Sequence, residues 1–250
     1  MSNCKPKAVP CDASVSKVCD NKDSMELTDP REYREIVGSL IYAMTGTRPD
    51  LCYAVTRLSQ FMSKPTKAHL GIAKHVLKYI KGTLHYSLKF SKSNEPLKLI
   101  GYCDSDWANS DDRRSITGYG FLMNNDGGLI SWKSKKQRVV ALSTCEAEYM
   151  AITYAMQEAN FLRNLYSDMT GCDKNFVTLY VDNQGAIALA ENPIHHQRSK
   201  HIDVRFHFIR SEVEAGIVRL LYIPSEANIA DLFTKPLSKG KIERFKVIRG

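Results

Sequence analysis

Several features are scarce in the 250-residue chain, and each absence excludes a class of protein. No apolar run approaches the roughly 18–20 residues that a membrane-spanning helix needs, so no membrane partner is expected. The N-terminal residues 1–7 lack the apolar stretch of a signal peptide. The seven cysteines are odd in number and form no Cys-x-x-Cys pair, which argues against a disulfide framework and a zinc site. We therefore expect an intracellular protein of the cytoplasm or nucleus, not a secreted one.

What the chain has is an excess of basic residues. It carries 35 Lys and Arg against 27 Asp and Glu, a formal net charge of +8. Through Glu95 there are 15 basic and 9 acidic residues, and after it 20 and 18, so the surplus lies mainly in the first part. Such a surplus favours a polyanionic partner such as nucleic acid. Nothing in the sequence predicts a small-molecule ligand.

The patterning divides the chain into three segments. Residues 1–27 show no periodicity and predict a flexible lead-in. Residues 28–95 contain three stretches with apolar side chains at helical spacing, followed by a strand-like alternation over residues 84–90. A polar break at residues 91–96 marks the predicted boundary of a second domain, residues 96–250.

The sequence pattern of the second domain predicts three strands, a long helix, and then alternating strands and helices. Asn125-Asp126-Gly127-Gly128 between two apolar runs predicts a hairpin. A last helix is expected over residues 225–235. This order indicates an α/β fold with a mixed sheet flanked by helices.

Four acidic residues stand where predicted strands end or helices begin: Asp104, Glu148, Asp182 and Asp231. Chemistry in open α/β sheets collects at strand ends. Carboxylates gathered there repel one another unless divalent cations neutralise them, and carboxylate oxygens suit Mg²⁺ or Mn²⁺. Two such ions, roughly 3.5–4 Å apart, would clamp the attacking and leaving oxygens of a phosphodiester.

Each acid also has a simpler interpretation as solvated charge. Glu146 illustrates it, because Ser143-x-x-Glu146 is a capping box at a helix start. Glu148 has no capping role and shares a helix face with apolar residues, so a solubility role alone is unexpected. Asp231 can pair with Lys235 four residues later, which is its simpler explanation. Asp106 lies on the same strand face as Asp104 and remains an alternative.

Six blocks in order resemble the ribonuclease H domain of copia-type retrotransposon polyproteins. They are Gly101-Tyr-Cys-Asp-Ser-Asp-Trp-Ala108, Arg113-Arg-Ser-Ile-Thr-Gly-Tyr119, Leu142-Ser-Thr-Cys-Glu-Ala-Glu-Tyr-Met-Ala151, Leu179-Tyr-Val-Asp-Asn-Gln184, Lys200-His-Ile-Asp-Val-Arg-Phe-His-Phe-Ile-Arg210 and Ile229-Ala-Asp-Leu-Phe-Thr-Lys-Pro-Leu237. Upstream, residues 33–50 and 73–83 are similar to the C-terminal end of the same family's reverse transcriptase.

The resemblance implies a ribonuclease H-like, mixed five-stranded sheet after a thumb- or connection-like helical remnant. It implies that Asp104, Glu148, Asp182 and Asp231 bind two metal ions and that the chain hydrolyses the RNA strand of RNA–DNA hybrids. The rest of a reverse transcriptase is an expected partner. No Tyr-x-Asp-Asp motif is present, so no polymerase activity is expected. The loop before Asp231 also lacks the His that many ribonucleases H have there.

Basic residues near these acids are candidates for binding the nucleic acid, with plain solvated surface as the alternative: Lys133, Lys135, Lys136, Arg138, Arg198, Lys200 and Arg205. Trp107 and Trp132 could be core residues or could stack on sugar or base. Rival hypotheses are an inactive nucleic-acid-binding module, a protein-interaction remnant of a retroelement, and an integrase-like nuclease.

Overall fold

The first part of the chain is helical in a computed structural model that describes residues 4–12, 24–92, 97–107, 112–124, 127–171, 176–191 and 200–245. Helices α1 (Arg31–Gly46), α2 (Cys52–Ser59) and α3 (Lys67–Gly82) pack together, with a 3₁₀ turn at Pro49–Leu51. Their apolar stripes form one core, which includes Tyr33, Leu58 and Val76. Because each stripe is buried by the other two helices, the three form one helical block.

The N-terminal residues 4–12 lie on this block. The Lys7 amide donates a hydrogen bond of 3.2 Å to the Lys78 carbonyl, and Cys11 is buried in the helical core. His75 Nε2 is 3.0 Å from the Val9 carbonyl oxygen. The structure therefore joins residues 4–12 to the helical block, where the sequence predicts a flexible lead-in. Aperiodic polar sequence did not reveal these contacts because they are made mostly by backbone groups.

The second part is a five-stranded mixed sheet in the order β3-β2-β1-β4-β5. The strands are β1 (Leu99–Asp106), β2 (Ile116–Met123), β3 (Leu129–Lys136), β4 (Val177–Val181) and β5 (Val218–Tyr222). Strands β1, β2 and β3 pair antiparallel, whereas β4 and β5 run parallel to β1. This arrangement confirms the predicted α/β fold with a ribonuclease H-like mixed sheet, and the β2–β3 hairpin.

Helices cover both faces of the sheet. They are α4 (Thr144–Thr170), α5 (Gln184–Glu191), α6 (Lys200–Glu214), α7 (Asp231–Thr234) and α8 (Lys239–Arg244). One core lies between the sheet and α4 and includes Phe121, Ile152 and Leu179. A second core joins the opposite face to α7, with Leu122 and Phe233 buried in it. In the described residues, no helix is long and apolar enough to cross a membrane.

The helical block and the sheet are in direct contact. Cys52 of α2 is buried in the core that contains Leu122 and Phe233. The Trp132 indole donates a hydrogen bond of 2.9 Å to the Met44 carbonyl at the end of α1. Trp132 is half-buried and joins the two parts through this bond, and stacking of its ring on sugar or base stays a prediction. The predicted boundary falls within residues 93–96, which lie outside the described residues, so the division into residues 28–95 and 96–250 stays a prediction.

Two predicted elements are wrong. Residues 84–90 do not form a sheet strand; instead Tyr86 and Leu88 pack against the second core. The single helix over residues 225–235 is broken into a 3₁₀ turn at Ser225–Ala227 and the short α7. Asn228 causes the break, because its side chain accepts a hydrogen bond of 3.1 Å from the Ala230 amide. Its own amide donates to the Cys103 carbonyl at 2.9 Å.

Candidate active site

The first acid, Asp104, lies near the end of β1 on the face that α7 covers. It is paired with Gly118 of β2 and is 2% exposed. The Thr234 hydroxyl of α7 donates a hydrogen bond to Asp104 Oδ2. Gly118 allows this contact, since a Cβ there would come within 2.7 Å of Thr234 Cγ2 and 2.8 Å of Phe233 Cβ. A missing side chain in β2 thus lets α7 approach Asp104.

The second acid, Glu148, enters from the first turns of α4. Its Oε1 accepts a hydrogen bond of 3.1 Å from the Ser105 amide, the residue after Asp104. Its Oε2 is buried and has no hydrogen-bond partner among the described groups. Glu146 forms half of the predicted capping box: Ser143 Oγ accepts from the Glu146 amide at 3.2 Å, but Glu146 Oε2 accepts from the Leu142 amide at 2.8 Å, one residue before the N-cap. The two glutamates therefore have separate roles.

The third acid, Asp182, follows β4. Because β4 is parallel to β1 and adjacent to it, both strands bring their carboxyl ends to the same edge. One oxygen each of Asp104, Glu148 and Asp182 lies within 4.8 Å of the others. We call these residues the carboxylate triad. Asp106 is half-buried at the end of β1 and is not a member of the triad.

Burial and mutual repulsion make the triad electrostatically unfavourable without a cation. Burial raises the pKa of Asp104 to about 7, although the Lys235 ammonium acts in the opposite direction. Burial, followed by the carboxylates of Asp104 and Asp182, raises the pKa of Glu148 well above its ordinary value. A divalent cation would relieve this repulsion and would use the unpaired Glu148 Oε2. The residues present therefore fit a divalent cation.

The fourth acid, Asp231, begins α7 and is fully buried. It lies beside the triad through Lys235, whose Nζ is 2.6 Å from Asp231 Oδ1 and 3.7 Å from Asp104 Oδ2. The pairing with Lys235 predicted from the four-residue spacing is confirmed. Lys241 of α8 forms an ion pair with Asp231 Oδ2. Burial lowers the pKa of Lys235, but the carboxylates of Asp104 and Asp231 more than offset this and raise it overall.

Sequence reasoning missed a buried polar residue that connects the elements carrying the triad. Gln137 is buried, and its Nε2 lies 3.2 Å from Ser105 Oγ, 2.9 Å from Thr117 Oγ1 and 3.0 Å from the Ala147 carbonyl. It thereby connects β1, β2 and the start of α4. A lone Gln after a basic strand carries no motif, so only its burial reveals this role.

The predicted nucleic-acid residues fall into several environments. Lys133 is exposed on β3, and Lys136 forms an ion pair of 2.9 Å with Asp112. Lys135 Nζ and Arg205 Cζ lie 4.5 and 5.5 Å from the centre of the Tyr154 ring, so these two cations meet around one aromatic side chain.

The remaining candidates are less informative. Arg138 is exposed just after β3. Arg198 and the side chain of Lys200 lie outside the described residues. Trp107 donates a hydrogen bond of 3.1 Å to the Ala141 carbonyl while 45% exposed, which favours neither of its two interpretations. Binding of nucleic acid by these residues stays a prediction, as do the catalytic roles of the four acids.

Comparison with known proteins identifies the relatives of the chain. The chain is 42% identical over 221 residues to the retrovirus-related Pol polyprotein from transposon RE1 of Arabidopsis thaliana, covering 88% of this chain and 15% of the relative. It is 40% identical over 258 residues to the retrovirus-related Pol polyprotein from transposon TNT 1-94 of Nicotiana tabacum, covering 100% of this chain and 19% of that relative. The chain belongs to the Pol polyprotein family of copia-type retrotransposons. The predicted family is thus confirmed, and this Pol-family chain spans less than a fifth of the relatives' length.

Other likenesses are partial. The Pol-family chain is 50% identical over 131 residues to the secreted RxLR effector protein 161 of Plasmopara viticola, covering 52% of this chain and 90% of that protein. Among solved structures, LC11-RNase H1 in complex with RNA/DNA hybrid shows 15% identity and a TM-score of 0.41 over 55% of this chain and 94% of that one. The foamy viral protease-reverse transcriptase in complex with dsDNA shows 10% identity and a TM-score of 0.49, covering 86% of this chain and 42% of that one. No protein-family model matches.

Proposed function

We propose that the chain is a metal-dependent endonuclease that hydrolyses the RNA strand of RNA–DNA hybrids. The observation that carries the proposal is the carboxylate triad, whose oxygens lie within 4.8 Å at a strand-end edge with one buried oxygen unpaired. The family assignment supports the same reaction. Burying carboxylates costs free energy unless a positive charge neutralises them. A divalent cation is the positive charge that fits this set of oxygen donors.

The triad would hold Mg²⁺ or Mn²⁺, with Asp231 as the fourth acidic position of a two-ion site. Such ions stabilise the charge on a phosphodiester undergoing attack and lower the pKa of a bound water. The chain's own groups hold the geometry: the Ser105 amide fixes Glu148, and the Thr234 hydroxyl fixes Asp104. Lys235 balances part of the negative charge beside Asp104 and Asp231.

The hybrid would lie across the edge of the sheet that β3 forms. Ser105 pairs with Thr117, and Thr117 with Lys135, so Lys135 is two strands, about 10 Å, from the end of β1. A cavity of about 190 Å³ lies beside Lys133, Lys135 and Tyr154. Ammonium groups at that distance suit phosphates flanking the cleaved bond. Recognition would rest on backbone shape and the 2′-OH rather than on base identity.

The deciding experiment is incubation of the purified chain with an end-labelled RNA–DNA hybrid and Mg²⁺, with and without EDTA. We expect cleavage of the RNA strand only, abolished by EDTA and by Asp104→Asn or Asp182→Asn. Lys74→Ala in the helical block is a control, because Lys74 pairs with Glu32 away from the sheet. Absence of cleavage by the folded wild type, or equal cleavage by the two acid variants, would refute the proposal.

A second candidate is the protein-interaction function that the sequence leaves open, and one relative, of which the chain covers 90%, is named a secreted effector rather than a Pol polyprotein. It differs from the first in what it requires of the triad. An interaction function predicts that Asp104→Asn changes no measured property except stability. Hybrid binding without cleavage would instead indicate an inactive nucleic-acid-binding protein.

A further inference from the structure

The buried fourth acid is held by two lysines from different elements. Asp231 Oδ1 is 2.6 Å from Lys235 Nζ, and Asp231 Oδ2 forms an ion pair with Lys241. The Asp231 side chain has no exposed surface, whereas those of Lys235 and Lys241 are 35% and 28% exposed. Each carboxylate oxygen of Asp231 is therefore already paired with an ammonium group.

The two lysines are not equivalent. Lys235 follows α7 directly and also reaches Asp104, so it lies between two acids of the site. Lys241 comes from α8, ten residues after Asp231. Its described ion pair is with Asp231. Its other described contact is with the Phe245 ring, whose centre is 5.7 Å away. Withdrawal of Lys241 would therefore free one oxygen and leave the Lys235 contacts in place.

We propose that Lys241 competes with a second divalent cation for Asp231, so that the chain binds one cation at the carboxylate triad readily and a second only when Lys241 is displaced. The inference rests on the proposed metal-dependent function. An ammonium and a divalent cation on the same carboxylate oxygen repel each other strongly at contact distance in a poorly solvated site. The ammonium is also no ligand, because its three hydrogens are donors.

The consequence is a stepwise site rather than a symmetric one. One oxygen from each triad residue lies within 4.8 Å of the others, and the buried Glu148 Oε2 has no hydrogen-bond partner in the described part of the chain. The Asp231 oxygens start from a neutralised state. Cation concentration would thus govern whether the second position fills, and Lys241 would set the concentration required.

The test is a Mn²⁺ titration of the full chain without nucleic acid. The electron paramagnetic resonance signal of free Mn²⁺ measures how much of the ion stays unbound at each step. Wild type should bind one ion well and a second weakly. Lys241→Gln should tighten the second ion by about tenfold or more, the lower range for removing a close charge partner. Lys241→Arg keeps the charge and should behave as wild type.

A matched control comes from the same helix. Lys239 pairs with Glu243 at 3.6 Å, so Lys239→Gln removes one charge without touching Asp231 and should leave both affinities unchanged. In the Lys241→Gln background, Asp231→Asn should abolish the second event and retain the first. This result would assign the tightened ion to Asp231 rather than to a general change in net charge.

The outcomes separate this inference from the proposed function. If the second ion binds equally well to wild type and Lys241→Gln, the competition is refuted while the first ion still supports a metal site. If Lys241→Gln loses the first ion, Lys241 is structural and the inference fails. If folded wild type binds no Mn²⁺, the metal-dependent function fails, and the inference with it.

Discussion

The Ser105 amide donates a hydrogen bond of 3.1 Å to Glu148 Oε1 and thereby joins the end of β1 to the first turns of α4. Two elements more than 40 residues apart in sequence meet at this bond, which sets Glu148 beside Asp104. The geometry of the triad therefore depends on how firmly β1, β2 and α4 are held together. Gln137 makes that connection beneath the bond.

Gln137→Met is expected to lower the free energy of unfolding by about 1–3 kcal/mol, because buried acceptors on Thr117 and Ala147 lose their donor. It should lower kcat for hybrid cleavage more than it changes KM, since the triad shifts while the binding surface remains. Urea unfolding and steady-state cleavage measure the two effects. Gln60→Met, at an exposed position in the helical block, is the control; an equal effect there would contradict the positioning role.

Gly118→Ala tests the close approach of α7 to the sheet. The added Cβ would lie 2.7 Å from Thr234 Cγ2 and 3.0 Å from the Ala230 carbonyl oxygen, so α7 must shift away from Asp104. We expect a loss of about 1–3 kcal/mol in stability and a marked fall in cleavage. Gly38→Ala in α1 meets no atom within 4 Å and should be neutral or stabilising by up to about 1 kcal/mol. Thermal melts of both variants would decide.

Stability of the metal-free chain should fall as the pH rises from about 4 to about 7. The pKa of Asp104 rises from its ordinary 3.8 to about 7 on folding, so the folded chain binds more protons than the unfolded chain in this interval. The stabilising contribution is complete below pH 4 and is lost as the pH passes 7. Thermal unfolding in EDTA across this range measures it.

Divalent cation should reverse that loss, because it neutralises the ionised triad. Added Mg²⁺ is expected to raise Tm more at pH 8 than at pH 5, where Asp104 holds its proton. Asp104→Asn cannot ionise and should show both a weaker pH dependence and a smaller Mg²⁺ effect. A Mg²⁺ shift that is the same at both pH values, or unchanged in this variant, would argue against cation binding at the triad.

Lys133→Ala and Lys135→Ala should weaken hybrid binding similarly for all sequences. If each lysine contacts one phosphate, the slope of log K against log salt concentration should fall by about one per variant. Lys136→Ala should have a smaller effect, because its ammonium already pairs with Asp112. Fluorescence anisotropy with a catalytically blocked chain measures the affinities. Unchanged slopes would identify this part of β3 as ordinary solvated surface.

Local sequence patterns predicted several elements of the fold correctly. Alternation and the Asn-Asp-Gly-Gly turn predicted the β2–β3 hairpin, and the capping box placed the start of α4, because both depend on neighbouring residues. The order of the motifs identified the family. It also selected Asp104, Glu148, Asp182 and Asp231, of which the fold brings the first three within 4.8 Å of one another.

The sequence by itself determined most of the elements, their order, and which acids stand at their ends. Tertiary structure decided what those acids touch. Lys241 meets Asp231 across a loop, and Asn228, at the break in the expected last helix, donates from its side-chain amide to the Cys103 carbonyl, 125 positions away. Periodicity reports only neighbours along the chain, whereas burial, charge pairing and register arise when distant segments pack together. For that reason the triad and its lysine-held fourth acid become distinct only in the folded chain.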